Sequence, residues 1–166
     1  MTSLEVELPS RRATRRLGRA LAEALAPSSL VLLSGPLGAG KTFLVRGVLR
    51  ALGIPQRDPV TSPTFSLVHE FDTEPRVLHA DLYRLASPKD LDPLGLAEAR
   101  SGGAALLVEW GDPYRAELGG DALSLELILA AEGRPRRARL RSEGPHSRDL
   151  LTKVARRLGE AASETC

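Results

Sequence analysis

The chain contains the octapeptide Gly35-Pro36-Leu37-Gly38-Ala39-Gly40-Lys41-Thr42, which matches the phosphate-binding pattern G-x-x-x-x-G-K-[ST] at every defined position. A continuous apolar run over residues 29–34 precedes it and is typical of a strand buried on both faces of a parallel sheet. A helical pattern over residues 43–52 follows it and ends at Gly53. Because strand, loop and helix occur in the order that this motif requires, the sequence predicts an α/β fold with a P-loop.

The residue types of the loop suit the binding of phosphate. Its glycines allow close backbone approaches that a Cβ would prevent, so successive N–H groups can point at phosphate oxygens. Lys41 adds a positive charge for the β- and γ-phosphates, and Thr42 offers a hydroxyl to Mg²⁺. The predicted nucleotide-binding residues of this stretch are Gly35, Pro36, Leu37, Gly38, Ala39, Gly40, Lys41, Thr42 and Phe43. We expect ATP rather than GTP, because guanine-specific P-loop proteins read the base with an Asn-Lys-x-Asp loop and this chain has no asparagine.

Two acidic residues are candidates for completing the site, each at the end of a strand-like run. Residues 104–109 form an apolar run that ends in Glu109, which we predict to be the carboxylate on the Mg²⁺ side. The other is Asp81, which alternation places on the same strand face as His79. Asp81 either orients the attacking water or forms an ion pair with Arg84, and His79 is interpreted as a structural histidine.

A polar segment that contains a proline, Val60-Thr61-Ser62-Pro63-Thr64-Phe65, lies between the P-loop helix and the strand of Asp81. At this position P-loop switches carry a hydroxyl that senses the γ-phosphate. Thr64 or Ser62 is the candidate for that hydroxyl, and a simple turn at the entry of a strand is the alternative interpretation.

Four blocks, in this order, give the chain a resemblance to a known family: the P-loop, Thr61 to Thr64, His79-Ala80-Asp81-Leu82-Tyr83-Arg84-Leu85 and Glu109-Trp110. Over residues 4–139 the chain resembles the bacterial ATPases of tRNA threonylcarbamoyladenosine biosynthesis, the TsaE or YjeE family. The resemblance implies a small cytosolic ATPase that uses ATP and Mg²⁺ and acts with the partner subunits TsaB and TsaD in tRNA modification.

The resemblance also implies roles for single residues. The catalytic residues implied are Asp81, Lys41 and Thr64, and the metal ligands are Thr42 and Glu109. Trp110 matches a tryptophan beside the nucleotide, although an aromatic residue at a strand end is otherwise interpreted as core packing. The start of the first helix near Ser10 and the turn around Arg134 are implied to approach the adenine.

The remaining patterns predict the scaffold. A strand over residues 4–8 precedes a helix that Ser10 caps and Pro27 ends, and the arginines on one face of that helix are interpreted as solvated surface. A capping box at residues 87–90 begins a short helix toward Leu94. Further elements are an antiparallel strand pair, 123–130 with 136–141, and a terminal helix, 149–158. Together they predict a single P-loop NTPase domain over residues 1–166, with a mainly parallel central sheet flanked by helices and with antiparallel strands added near the C-terminus.

Composition narrows the functional classes. The chain has 166 residues, of which 42% are apolar, and it carries 23 basic and 21 acidic residues, a net charge of +2. This balance does not force nucleic-acid binding. Contact with tRNA, which the resemblance brings into question, is expected to be possible but indirect. The apolar runs are too short to span a membrane and no secretory signal is visible, so we expect a cytoplasmic protein. A single cysteine, Cys166, cannot build a disulfide framework or a cysteine-based zinc site.

Three functional hypotheses follow. The first is an Mg²⁺-dependent ATPase whose slow hydrolysis is gated by TsaB and TsaD, because no arginine finger can be assigned from the sequence. The second is a small P-loop kinase, for which the chain between Arg84 and Ala104 leaves little room for a lid. The third is a binding module that senses ATP without hydrolysing it.

Overall fold

The computed structural model describes residues 2–164, so Cys166 lies outside the described residues. This part of the chain contains seven strands and four α-helices. In chain order they are β1 (Ser3–Leu8), α1 (Arg11–Ala24), β2 (Leu30–Ser34), α2 (Lys41–Ala51), β3 (Val68–Phe71), β4 (Val77–Asp81), α3 (Leu96–Ser101), β5 (Ala105–Glu109), β6 (Leu123–Ile128), β7 (Arg136–Ser142) and α4 (Pro145–Glu164).

The strands form one seven-stranded sheet in the order β1-β7-β6-β2-β5-β4-β3. Its centre is parallel, because β2 pairs in parallel with β5 and β6, and β4 pairs in parallel with β5. The register places Leu33 beside Glu109, and Glu109 beside Asp81. The predicted P-loop NTPase fold with a mainly parallel central sheet is therefore confirmed, and both predicted acids lie at the carboxyl edge of neighbouring strands.

Both edges of the sheet are antiparallel. The predicted pair of β6 and β7 is confirmed, and β7 also pairs with β1 over Ser3–Leu8. On the opposite edge β3 pairs antiparallel with β4. The strand β3 was not predicted, because its sequence Val-His-Glu-Phe has only four residues and does not alternate between apolar and polar.

Two apolar layers cover the sheet. The strand β2 is buried on both faces: Val31 and Leu33 pack into the layer formed with α1, α2 and α4, whereas Leu30 and Leu32 pack into the layer that includes α3. Within the first layer α1 and α2 cross at two glycines. A Cβ on Gly18 would lie 3.0 Å from the carbonyl carbon of Gly47, so the absence of a side chain lets the two helices approach closely.

Two helices differ from their predictions. The capping box of Ser87 and Asp90 is confirmed, but the helix it starts is two 3₁₀ turns, Pro88–Asp90 and Asp92–Leu94, followed by α3. Pro93 lacks the N–H that a continuous α-helix needs, and Gly95 adopts a left-handed conformation with φ 65°.

The terminal helix α4 begins at Pro145, four residues before the predicted start. A carboxylate from a distant loop caps it, because Asp121 accepts hydrogen bonds from the backbone N–H groups of His146 at 2.8 Å and Ser147 at 2.9 Å.

None of the helices described between residues 2 and 164 has the length and apolar character needed to cross a membrane.

Candidate nucleotide-binding site

The P-loop joins the carboxyl end of β2 to the first turn of α2, as the motif requires. Gly35, Gly38 and Gly40 have φ values of 138°, 78° and 103°, which side-chain-bearing residues rarely adopt. A Cβ on Gly35 would also lie 2.7 Å from the backbone oxygen of Leu127. Each of the three glycines predicted from the motif is thus required by the backbone of the loop.

Lys41 is folded back into the loop that it ends. Its ammonium donates hydrogen bonds to the carbonyl oxygens of Gly35 at 2.7 Å and Pro36 at 3.1 Å, and only 5% of the residue is exposed. Burial lowers the pKa of Lys41 from its ordinary value, while the charges of Glu109 and Asp81 oppose that shift. The ammonium therefore lies in a desolvated site where an anion would be strongly attracted.

The predicted metal ligands are in direct contact. The hydroxyl of Thr42 donates a hydrogen bond of 2.9 Å to Oε1 of Glu109, which is 3% exposed at the end of β5. The same oxygen lies 2.8 Å from Nε2 of the buried His79 on β4. A hydroxyl and a carboxylate are the oxygen ligands that Mg²⁺ prefers, so Thr42 and Glu109 fit this metal when nucleotide phosphates supply further ligands.

Asp81 lies beside Glu109 at the end of β4 but has different partners. Its Oδ2 accepts a hydrogen bond of 2.5 Å from the hydroxyl of Ser62, and its Oδ1 accepts one of 3.0 Å from the backbone N–H of Tyr83. The alternative ion pair with Arg84 is not formed among the described residues. The carboxylate of Asp81 thus ties β4 to the predicted switch segment.

Within that segment, the two candidate hydroxyls are placed differently. Ser62 contacts Asp81, whereas Thr64 is exposed and forms no hydrogen bond with any residue in the described range 2–164. The start of the segment is anchored by α2, because the carbonyl oxygen of Val60 accepts hydrogen bonds from Nε and Nη2 of Arg46 at 3.2 and 3.0 Å. The structure therefore brings Ser62, but not Thr64, into contact with the acids.

Trp110 lies over the phosphate loop rather than in the core. Its indole ring is half-buried, with its centroid 4.6 Å from the ammonium of Lys41 and 5.0 Å from the ring of Tyr83. Its backbone has φ 59°, and its N–H donates a hydrogen bond to the carbonyl of Leu33 at 3.2 Å. The interpretation of Trp110 as core packing is therefore wrong.

A pocket of about 180 Å³ opens beside the loop, between the start of α1 and the strands β6 and β7. It is lined by Leu8, Arg11, Thr14, Ala39, Gly40, Phe43, Leu127, Ile128, Arg136 and Arg137. Ser10 is not part of the lining, since its hydroxyl caps α1 by accepting the N–H of Ala13 at 3.1 Å. Arg134 is exposed in the turn before β7, and Arg136 lies nearest the loop instead.

Sequence analysis did not identify Thr14 and Arg136 as residues that line this pocket. Thr14 lies one helical turn after the Ser10 cap, and Arg136 begins a strand whose pairing with β6 brings it to the loop. The alternation of β7 could have indicated Arg136, but its position beside Gly40 depends on the strand order.

A phosphate loop between a central parallel strand and a helix, with a buried lysine, a hydroxyl and two strand-end acids, defines a P-loop nucleotide-binding protein of the NTPase class. A profile of the family described as threonylcarbamoyl adenosine biosynthesis protein TsaE matches residues 8–138. The chain belongs to the TsaE family.

Individual relatives agree with that assignment. The chain is 36% identical over 120 residues to the tRNA threonylcarbamoyladenosine biosynthesis protein TsaE of Treponema pallidum, a match that covers 72% of this chain and 87% of the relative. It is 44% identical over 120 residues to the protein of the same name from Streptomyces coelicolor, with 70% and 79% covered. The crystal structure of Bacillus subtilis YdiB superimposes with a TM-score of 0.74 at 26% identity, covering 94% of this chain and 97% of that one.

Proposed function

We propose that this chain is an Mg²⁺-dependent ATPase of tRNA threonylcarbamoyladenosine biosynthesis, acting in the cytoplasm as one P-loop domain. The observation that carries the proposal is the hydrogen bond of 2.9 Å between the hydroxyl of Thr42 and the carboxylate of Glu109. Thr42 directly follows the buried Lys41 in the chain. It joins the residue after the P-loop lysine to a strand-end carboxylate, which is the pair that positions a metal in P-loop ATPases. ATP is proposed over GTP because the chain has no asparagine for a guanine-reading loop.

Each part of the site has a proposed task. Lys41 and the amides of residues 35–42 bind the phosphates and stabilise the charge that develops during transfer. Thr42 and Glu109 would hold Mg²⁺, which supplies further positive charge beside the phosphates. Asp81 orients the attacking water, and this water is proposed to replace the hydroxyl of Ser62 on Oδ2. Trp110 and the pocket beside α1 bind the remainder of the nucleotide.

The hydrogen bonds of Asp81 support the proposal that partners gate hydrolysis. Its carboxylate is occupied by Ser62 and the amide of Tyr83, so slow hydrolysis is expected for the protein alone. The partners proposed are TsaB and TsaD, as the family resemblance implies, and their binding would favour the arrangement in which Asp81 is free. Contact with tRNA is then indirect, through those subunits.

The experiment is phosphate release from ATP and Mg²⁺, measured for the protein alone and with purified TsaB and TsaD. Lys41→Ala is expected to weaken ATP binding by about tenfold to a hundredfold, because a charged hydrogen-bonding group is lost. Asp81→Ala is expected to retain ATP binding but lose hydrolysis by about a hundredfold or more. The exposed Lys89→Ala and Asp72→Ala variants are matched controls.

The rivals give different results. Release that does not respond to TsaB and TsaD but requires a small acceptor would favour the P-loop kinase. Binding of ATP without release under any of these conditions would favour a sensing module. Unchanged release by Asp81→Ala would remove the catalytic role proposed for that residue.

A further inference from the structure

His79 is a buried polar residue to which the proposed function gives no task. It lies on β4 with none of its surface exposed, and its Nε2 is 2.8 Å from Oε1 of Glu109. Its other ring nitrogen, Nδ1, is also buried and has no hydrogen-bond partner among the described residues. The carboxylate of Glu109 is therefore the one polar contact of this side chain in the described structure.

The contact holds one particular oxygen of the carboxylate. Oε1 of Glu109 also accepts the hydroxyl of Thr42 at 2.9 Å, so an imidazole that donates from Nε2 gives this oxygen two donors. Oε2 accepts no hydrogen bond from residues 2–164. Two donors on one oxygen fix the torsion angle of the carboxylate and leave its other oxygen for an additional ligand.

We propose that His79 is a positioning residue that orients the Glu109 carboxylate for Mg²⁺–nucleotide binding. The inference rests on the proposed function, because Glu109 is assigned there to the metal. Residues that hydrogen-bond to metal-binding groups commonly change metal affinity tenfold to a hundredfold when they are removed. A histidine that only fills space in the sheet would have no such effect on metal dependence.

Two amide substitutions separate these roles. His79→Gln keeps an N–H donor near the position of Nε2, whereas the shorter His79→Asn keeps a polar amide that cannot reach Glu109. For each variant, binding of ATP is measured by calorimetry in EDTA and across a titration of Mg²⁺. His79→Asn is expected to raise the Mg²⁺ concentration for half-saturation about tenfold while changing the affinity in EDTA less than about twofold. His79→Gln is expected to restore most of the wild-type Mg²⁺ dependence.

Two results would overturn the inference. One is an unchanged Mg²⁺ dependence in His79→Asn, and the other is an equal loss of ATP affinity with and without Mg²⁺ in both variants. If His79→Asn does not fold, His79→Leu serves as the variant without a donor, and failure of both to fold would assign His79 to the stability of the sheet and reject the proposal. A wild-type protein that binds ATP–Mg²⁺ without hydrolysing it would refute the ATPase but leave this comparison intact.

Discussion

The contact between Ser62 and Asp81 lies at the acid that is proposed to orient the attacking water. The hydroxyl of Ser62 lies 2.5 Å from Oδ2 of Asp81 and competes with any water that would bind there. A hydrogen bond to a charged group contributes about 1.5–3 kcal/mol. In the proposed mechanism, this hydroxyl must leave Oδ2 before a water can bind in its place.

Ser62→Ala is expected to increase phosphate release by the protein alone by about tenfold or more, and to reduce the further stimulation by TsaB and TsaD. The physical reason is that Asp81 no longer needs to leave its hydroxyl partner. Steady-state phosphate release with and without the partners measures both effects. Ser66→Ala is the control, since it removes an exposed hydroxyl four residues away that is not among the hydrogen-bond partners of Asp81 in the described structure. A loss of release in Ser62→Ala would show instead that the hydroxyl itself takes part in the reaction.

At this scale the sequence predicted residue types better than contacts. The spacing of the P-loop fixed Lys41 and Thr42, and an apolar run ending in an acid indicated Glu109. The contact of Ser62 with Asp81 joins residues 19 apart, and that of His79 with Glu109 joins residues 30 apart. The first contact depends on how the loop before β3 lies against β4, and the second depends on the pairing of β4 with β5. Neither is specified by a pattern local to one of the two residues.

The helices α1 and α2 cross at Gly18 and Gly47, where the lack of side chains allows close contact. A Cβ on Gly18 would lie 3.0–3.2 Å from backbone atoms of α2, which cannot rotate away as a side chain can. A Cβ on Gly47, in contrast, would meet nothing closer than 3.8 Å. The two glycines face each other but tolerate substitution differently.

Gly18→Ala is expected to lower the free energy of unfolding by about 1–2 kcal/mol, because forced separation of the helices outweighs the gain in helix propensity. Gly47→Ala is expected to raise it by about 0.5–1 kcal/mol, because alanine favours the helix and fits the space. Urea unfolding of both variants beside the wild type tests the difference in sign. Equal effects of the two substitutions would contradict the geometry of the crossing.

The cap of α4 depends on the ionisation of Asp121. Burial acts to raise the pKa of this carboxyl, but hydrogen bonds from Ser147 and from the amide of His146 outweigh it and hold the pKa below its ordinary value of 3.8. The carboxylate therefore stabilises the fold above that value, and the stabilisation is lost as the pH falls through the lower pKa of the folded state.

Asp121→Asn is expected to lower the free energy of unfolding by about 1 kcal/mol at neutral pH, and the difference from the wild type is expected to narrow below pH 3.8. Asparagine suits the site because Asp121 has φ 36°, a conformation that asparagine tolerates. Asp72→Asn is the control, since its carboxylate is exposed and forms no ion pair with any residue from 2 to 164. Thermal unfolding from neutral pH to below pH 3.8 measures the difference in free energy of unfolding between the variant and the wild type. A difference that does not change with pH would contradict a cap that depends on the ionisation of Asp121.

At the scale of elements, a cap adjacent to the helix allowed the start of α1 to be predicted, whereas a distant cap left the start of α4 mispredicted. Ser10 lies directly before α1 and marks its first residue, whereas α4 takes its cap from Asp121, more than twenty residues earlier in the chain. A distant cap leaves no local pattern, so the predicted start came too late. The short β3 was missed because its strand character depends on pairing with β4 rather than on its composition.

For the molecule as a whole, the sequence predicted the parallel centre because the βαβ order and the buried runs imply it. It did not predict which strands lie at the edges. The pairing of β1 with β7 joins the two ends of the chain, and the relevant information is spread over both. Strand order was therefore the level at which sequence patterns gave least guidance.

Binding of the nucleotide is expected to stabilise the entire fold. The P-loop joins β2 to α2, and both belong to the main apolar layer, so a ligand on the loop opposes global unfolding. ATP with Mg²⁺ at a hundred times its dissociation constant is expected to add about 2.7 kcal/mol. Differential scanning calorimetry with and without ATP measures the shift in melting temperature. At the same ATP concentration, Lys41→Ala should reduce the stabilisation to about 0.4–1.4 kcal/mol, because its affinity is expected to be tenfold to a hundredfold weaker. A shift as large as that of the wild type would place the ligand elsewhere.

The position of Trp110 also has a spectroscopic consequence. The chain contains a single tryptophan, and its indole lies 4.6 Å from the ammonium of Lys41. When a bound phosphate draws the ammonium of Lys41 toward itself, the electric field on the indole ring changes. The fluorescence of Trp110, excited at wavelengths that tyrosine does not absorb, should therefore change in intensity and wavelength. The unlabelled protein thus contains one intrinsic fluorophore at its nucleotide edge, and titration in a fluorimeter would report ligand occupancy without any added dye.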